Sequence, residues 1–244
     1  VKDGLPASWE RAVEAAAKRL MPILEQSRDR VGVVLSPHFS NEDNYALAKL
    51  ARDMWQIERI YIGGKMPVPE RADDILRDAD VSPNRRGVKA IAGEGAAGVS
   101  VLAADLASDE LSALVILGHD VPLSEDALAA LTGLEAVIVI SDRDVGIAGR
   151  AHVALPAAAW AEVSGTMTNR QGITQRIHPA LTPPGLAVPA WDAIRRLAIA
   201  SNAAMTYDGA KQVFSEMTQA VPELSTDWGR DARPIQLRFA GSRG

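Results

Sequence analysis

The sequence predicts an α/β protein built on a parallel β-sheet. Short apolar runs without polar alternation, such as Val31–Leu35 and Ala136–Ile140, are typical of strands buried on both faces. Between them lie longer segments in which apolar residues recur every three or four positions, as on the buried stripe of a helix. A strand, a helix of a dozen residues and a second strand form a βαβ unit, and its two strands run parallel.

The individual elements follow from local patterns. Trp9, Val13 and Leu20 lie on one stripe of a helix near 8–25. Ser40 begins the next helix as its N-cap, with the carboxylate of Asp43 three residues later. The other predicted strands are 57–62, 113–118, 135–140, 152–155 and, at an edge, 235–239. The other predicted helices are 96–107, 124–131, 190–203 and 209–219, the last capped by Asp208.

The alternation of predicted strands and helices divides the chain into four segments. Residues 63–87 are rich in Gly and Pro and form a long connection or a domain seam. A first α/β segment, 1–62, precedes it, and a second, 88–162, follows it. The final segment, 163–244, combines an irregular loop over 165–187 with two helices and a tail that pack on the α/β body.

Composition excludes several classes of function. The 244 residues contain no Cys, so the chain has neither disulfides nor thiolate ligands for zinc or iron–sulfur clusters. The net charge of −5 argues against a nucleic-acid partner, which needs a basic surface. Apolar runs of five residues are too short for membrane insertion, which takes roughly 20. The first residues carry neither a secretory signal nor an initiating Met, so we expect a mature protein or a fragment.

A glycine-rich motif offers one binding hypothesis. Gly93-Glu-Gly95-Ala-Ala-Gly98 is a G-x-G-x-x-G pattern, and Asp120 lies 22 residues beyond it. This spacing resembles that of dinucleotide-binding folds, where the glycines admit a pyrophosphate and the carboxylate binds the ribose. However, the strand that would precede it, Val88–Ala92, contains a Lys, and Glu94 adds a negative charge. A surface loop is the alternative interpretation.

Other polar residues lie at the ends of predicted strands. His38 and His119 follow two parallel strands, at the edge where α/β sheets bind ligands. Asp142 and Asp144 follow a third strand and suit either a magnesium ion or a turn. The spacing of the four His residues predicts no metal site, and hydrolase and kinase motifs are absent from the sequence.

One long segment carries a family resemblance. The stretch 151–175 includes Leu155-Pro-Ala-Ala-Ala-Trp160-Ala-Glu162 and Gly165-Thr-Met-Thr-Asn169, and ends at Gln175. It resembles the molybdopterin oxidoreductase superfamily, whose pattern continues as G-T-x-x-N-x-x-G-R-x-Q and later P-P-G before a Trp. The segments 41–52 and 80–87 look like the large iron–sulfur subunit of NADH:quinone oxidoreductase (respiratory complex I). The resemblance covers about 8–200.

The resemblance implies Rossmann-like parallel-sheet domains with helices on both faces. In molybdoenzymes of this superfamily the G-T-x-x-N loop and the strand ends touch a pterin guanine dinucleotide. The matching positions here, which we interpret as vestigial, are Gly118, Asp120, Asp142, Gly165, Thr166, Asn169 and Gln175. The Arg of the family's G-R-x-Q is Ile173 in this chain, which removes a cation suited to phosphate.

The leading hypothesis is a non-catalytic, structural part of a protein like the large iron–sulfur subunit of complex I. We expect no catalytic residue, metal or cofactor on this chain, and iron–sulfur clusters on a missing N-terminal region or on partner chains. Its partners would be other subunits of a respiratory NADH dehydrogenase complex, on the cytoplasmic side of the inner membrane. Trp9 and Trp55 are candidate anchors. Alternatives are a module that retains a molybdopterin or nucleotide, and an NAD-binding enzyme.

Overall fold

The computed structural model describes residues 5–73 and 75–229. Their main feature is a six-stranded sheet in the order β3-β2-β1-β4-β5-β6, in which every pair is parallel. The strands are β1 Val31–Leu35, β2 Arg59–Ile62, β3 Ala97–Gly98, β4 Ala113–Leu117, β5 Ala136–Ser141 and β6 Val153–Pro156. The predicted parallel sheet is confirmed, and strands from both sides of the 63–87 segment share it.

Helices cover both faces of the sheet. They are α1 Trp9–Gln26, α2 Asn41–Lys49, α3 Arg85–Ala92, α4 Val99–Ala107, α5 Glu125–Leu131, α6 Ala190–Ala200 and α7 Ala210–Ala220. Alternate strand residues face opposite layers: Val33 and Leu35 belong to the same apolar cluster as the buried residues of α1, α2, α3, α6 and α7, and Val34 belongs to the cluster that contains those of α4 and α5. Among the described residues, no helix combines the length and apolarity that crossing a bilayer requires.

The order of the strands locates the region where a ligand would be expected. The chain runs outward from β1 to β2 and β3, and then returns to β4 on the other side of β1 before it reaches β5 and β6. The strand order therefore reverses between β1 and β4. In open α/β sheets the loops at the carboxyl ends of two such strands separate and leave a crevice that binds ligands.

One sequence prediction was wrong about secondary structure, and a segment considered only within the dinucleotide-binding hypothesis also differs. Val88–Ala92, considered as a strand, belongs to helix α3, because Val88, Ile91 and Ala92 recur at helical spacing and are buried together. The 165–187 segment is not wholly irregular, since it begins with an antiparallel hairpin of β7 Gly165–Thr168 and β8 Thr174–Ile177. Its strands bury Thr166, Thr168 and Thr174, so an apolar pattern did not reveal them.

Helix ends show smaller differences. The predicted cap of the last helix, Asp208, lies one residue too early, since Gly209 occupies the N-cap position of α7. The N-cap predicted at Ser40 is confirmed, with a capping box to Asp43. The strand predicted at 235–239 lies outside the described residues.

Candidate functional site

Two histidine–carboxylate pairs lie at the carboxyl ends of the adjacent strands β1, β4 and β5. His38 follows β1, and its Nε2 lies 2.9 Å from Oδ2 of Asp120, which follows β4. His119 Nδ1 lies 3.1 Å from Oδ1 of Asp142, which follows β5. Asp120 and Asp142, both predicted as ligand contacts, are thus engaged with neighbouring side chains. The two pairs join the loops that follow three adjacent strands.

The backbone also closes this crevice. Gly118 has a φ of +85°, and a Cβ at this position would lie 2.7 Å from Ser36 Oγ. The amide of Gly64 donates to the Asp120 carbonyl at 2.7 Å. The loops after β1, β2 and β4 are therefore in direct contact, and the protein's own groups bridge the crevice.

The first βα turn lacks the features of a phosphate loop. The turn after β1 reads Ser36-Pro37-His38-Phe39 and contains no glycine. The N-terminus of α2 is occupied by its own capping box, in which Ser40 Oγ accepts the Asp43 amide at 3.1 Å. Carboxylic acids at Glu42 and Asp43 stand where a phosphate would bind. The G-x-G-x-x-G motif lies elsewhere: it begins at the C-cap of helix α3 and its last two residues form the edge strand β3, so a helix and not a strand directly precedes it.

The predicted positions after Trp160 lie on the β7–β8 hairpin, and the polar groups of Thr166 and Asn169 bond within the protein. Thr166 is fully buried; its amide donates to Glu42 Oε2 at 2.7 Å, and its Oγ1 lies 2.8 Å from Glu42 Oε1. Gly165 lies against the same carboxyl group. Asn169 Oδ1 accepts two amides of its own turn, and Gln175 is an exposed residue of β8.

The structure identifies Glu42 as an important residue that the sequence did not single out. Burial raises its pKa to about 8, even though the bonds from Thr166 favour the ionised form. Burial likewise raises the pKa of the neighbouring Asp43, whose Oδ1 accepts the Trp191 amide near the start of α6. Both acids hold separate elements together. An acid in the first turn of a helix is usually exposed, so the sequence carries no signal of this burial.

Amide side chains complete this buried polar cluster. Asn41 Nδ2 lies 3.1 Å from Oγ1 of both Thr166 and Thr168. Asn84 Oδ1 accepts the Thr168 amide at 2.7 Å. Gly87 of α3 packs so closely that a Cβ there would lie 2.0 Å from Asn41 Oδ1. The hairpin is therefore fixed to α2 and α3 by hydrogen bonds, as a structural element.

A cavity of about 390 Å³ lies at the carboxyl ends of β5 and β6. Its lining is mainly apolar, and Trp9 forms part of one wall, where its Nε1 donates to the Leu186 carbonyl at 2.9 Å. The charged residues on its walls are Asp142, Arg143, Asp144 and Glu162. Trp9 and Trp55, the predicted anchors, are buried in the core, 9% and 5% exposed.

These residues do not fit a pterin guanine dinucleotide. A pyrophosphate needs cations or free amides, but three carboxylates and a single Arg143, itself 3.9 Å from Asp142, line the cavity. The chain contains no Cys to ligate a metal. In 5–73 and 75–229, His, Asp and Glu side chains form no group of three that would hold a metal ion. The site therefore supports no chemistry through this cofactor.

Comparisons with known proteins are consistent with the resemblance seen in the sequence. Residues 84–200 match the family model for molybdopterin oxidoreductase. The F420-dependent formate dehydrogenase 2 subunit alpha of Methanococcus maripaludis is 35% identical over 126 residues, 49% of this chain and 18% of that protein. Nitrate reductase of Klebsiella oxytoca is 34% identical over 131 residues, which are 50% of this chain and 15% of that protein.

A respiratory protein also matches part of the chain. The mitochondrial NADH-ubiquinone oxidoreductase 78 kDa subunit of Candida albicans is 38% identical over 81 residues, 33% of this chain and 11% of that protein. The chain thus spans less than a fifth of the length of these relatives. Over residues 84–200, just under half of its length, this chain is similar to the molybdopterin oxidoreductase family.

Proposed function

We propose that this chain is a non-catalytic structural part of a NADH:quinone oxidoreductase, of the type represented by the large iron–sulfur subunit of complex I. In this proposal it docks against the iron–sulfur electron-transfer region. One observation carries it: apolar side chains are exposed beside the 390 Å³ cavity, while the crevice where α/β proteins bind ligands is bridged by the protein's own paired side chains. The partial match to the complex I 78 kDa subunit supports the choice of complex.

The exposed apolar residues form what we call the docking face. Leu186 lines the cavity and is 66% exposed; Trp160, 65% exposed, directly follows the lining residue Ala159. The amide of Leu181, which is 62% exposed, donates to the carbonyl of Ala161, the residue after Trp160, at 3.0 Å. Single exposed apolar residues are ordinary, but a group with a large aromatic beside a cavity is typical of protein interfaces.

The absence of thiols supports the proposal that other segments or subunits bind the iron–sulfur clusters. A chain without Cys supplies no thiolate for an iron–sulfur cluster, so in this proposal the clusters lie on other segments or subunits. The partners are then subunits of a respiratory NADH dehydrogenase complex. The proposal places the chain on the cytoplasmic side of the inner membrane, held there through the complex.

Single-cysteine crosslinking tests the docking face, because the chain has no Cys of its own. Trp160→Cys and Leu186→Cys are each labelled with a photoactivated crosslinker in the isolated complex. Lys211→Cys, exposed on α7, is the matched control. We expect the first two to crosslink to an iron–sulfur-bearing chain or segment and the control to give none of these products. Equal crosslinking by all three would contradict the proposal.

A second measurement separates docking from cofactor binding. Metal analysis and mass spectrometry of an acid extract are carried out on the purified chain. We expect neither a pterin nor a nucleotide, and no molybdenum or iron near one equivalent. A stoichiometric pterin would favour the ligand-retaining alternative and overturn the non-catalytic one.

A further inference from the structure

A second cleft lies between α3, the β7–β8 hairpin and the turn Pro222–Leu224. Its volume is about 710 Å³, and the docking face contributes none of its lining residues. We propose that this cleft binds a small phosphate-bearing anion, such as diphosphate or a sugar phosphate. The proposal rests on the charges of the cleft and is independent of the docking function.

The walls of the cleft are positively charged within an acidic protein. Four cations line it, namely Arg85, Arg86, Lys89 and Arg170, against the two acids Asp80 and Glu223, which leaves 4 − 2 = +2. The whole chain carries −5. Net charge of this sign in a concave site concentrates anions from solution.

Two of the four cations are available to a ligand. Arg85 Nε lies 2.7 Å from Asp80 Oδ2, and Arg170 pairs with Asp78. The side chains of Arg86 and Lys89 make neither an ion pair nor a hydrogen bond with any residue that the structure describes. Because they are three residues apart on α3, they project from the same side of the helix. An anion between them would gain two charge-assisted contacts.

The helix itself adds to the positive potential. Arg85 and Arg86 begin α3, although the helix dipole favours acidic residues there. The N-cap residue Asn84 makes no side-chain cap, since its Oδ1 accepts the Thr168 amide and its Nδ2 donates to the Phe39 carbonyl. This arrangement is electrostatically unfavourable in the free protein, and a bound anion would relieve it.

The hairpin leaves room for Arg86. Gly172 has a φ of +85°, and a Cβ on it would lie 3.3 Å from Arg86 Nη1. The turn therefore passes directly beside the guanidinium group, which forms one side of the cleft.

No aromatic residue is among those that line the cleft, so a nucleobase would find no ring to stack on. A compact, polar phosphate compound fits these walls, and the volume is ordinary for a small-molecule site.

Isothermal titration calorimetry on the purified chain tests this proposal, with inorganic diphosphate and fructose 1,6-bisphosphate as separate probes. The double variant Arg86→Ala/Lys89→Ala removes the two available cations. Arg11→Ala/Lys18→Ala, with both side chains exposed on α1, removes the same charge elsewhere. We expect one site, with binding at least tenfold weaker in the first variant and changed less than twofold in the control. Circular dichroism checks that both variants fold.

The possible outcomes distinguish phosphorylated sugars from inorganic phosphates as ligands, and some of them would contradict the proposal. Tighter binding of the bisphosphate than of diphosphate assigns the site to phosphorylated sugars, and the reverse assigns it to inorganic phosphates. Equal weakening in both double variants would mean that binding reflects net charge only and would overturn the proposal. So would the lack of saturable binding of either probe. An oligo-aspartate peptide, titrated as a third probe, would likewise overturn the proposal if it bound more tightly than both phosphate compounds. None of these results depends on whether the chain docks in a respiratory complex.

Discussion

Glu42 on α2 holds Thr166 on β7 through both of its carboxyl oxygens. Oε2 accepts the Thr166 amide at 2.7 Å, and Oε1 lies 2.8 Å from Thr166 Oγ1, with both residues fully buried. The contact joins helix α2, which packs on one face of the sheet, to the hairpin that carries the G-T-x-x-N motif. The first strand of a segment that resembles a cofactor loop in sequence is therefore fixed to α2 by buried hydrogen bonds.

Removing the Glu42 carboxyl group is expected to destabilise the fold. Glu42→Ala leaves the buried Thr166 amide without an acceptor, which costs about 1–3 kcal/mol in addition to the lost packing. Glu42→Gln keeps an acceptor oxygen for the amide and stays uncharged, so we expect a smaller loss. Urea denaturation followed by circular dichroism measures both. Equal losses would show that the hydrogen bonds contribute little.

The raised pKa of Glu42 gives stability a defined pH dependence. Between the ordinary value of 4.5 and about 8, the unfolded state releases a proton that the folded state keeps. The contribution of Glu42 is thus complete below pH 4.5 and is lost as pH rises through about 8, with a slope of up to about 1.4 kcal/mol per pH unit.

The difference between wild type and Glu42→Gln isolates this effect, because Asp43 titrates in both proteins. We expect the unfolding free energy of wild type to fall relative to the variant from pH 5 to pH 8 and to run parallel to it above pH 9. A constant difference over the whole range would mean that Glu42 is ionised in the folded protein.

Close packing at Gly87 predicts a sharp contrast between two glycine substitutions. Gly87→Ala would place a methyl group 2.0 Å from Asn41 Oδ1 and 2.5 Å from Asn84 Oδ1, so the polar cluster must move. We expect a loss of about 1–3 kcal/mol or more, as in other overpacked cores. Gly95→Ala meets nothing within 4 Å and serves as the control, with little change in the melting temperature.

We expect alanine substitution to affect stability at Trp55 and association with partners at Trp160. Trp55→Ala removes a buried side chain whose Nε1 donates to Ser201 Oγ, and is expected to cost about 3–5 kcal/mol. Trp160→Ala should leave stability within about 0.5 kcal/mol, because the side chain is exposed. In pull-down experiments with the respiratory complex, however, we expect Trp160→Ala to associate more weakly. Unchanged association would remove Trp160 from the docking face.

The position of the G-x-G-x-x-G motif predicts that this chain does not bind NADH. Because Gly93 ends helix α3 and no strand precedes the motif, we expect NADH to leave the melting temperature unchanged. A ligand at about 100 times its dissociation constant would add roughly 2.7 kcal/mol and a clear shift. Thermal denaturation with and without NADH measures this, and a saturable upward shift would restore the NAD-binding hypothesis.

The sequence was informative where burial leaves a simple local pattern. The strands β1, β4 and β5 were predicted to within one residue at either end, because continuous apolar runs of this length suit a sheet covered on both faces. The segment from Leu155 to Gln175 was sufficient to indicate the family. Helix α3 was missed, since only eight residues and a Gly at its centre gave a weak helical signal.

By itself, then, the sequence determined the class of fold, the parallel order of its βαβ units, a resemblance to the molybdopterin oxidoreductase family and the lack of thiol ligands. Only the tertiary structure decided which polar residues are available. Glu42 and Thr166 are 124 positions apart, and His38 meets Asp120 only because β1 lies beside β4. Whether a carboxyl group is buried, paired or free depends on what covers it, and that covering comes from distant parts of the chain that no local pattern encodes.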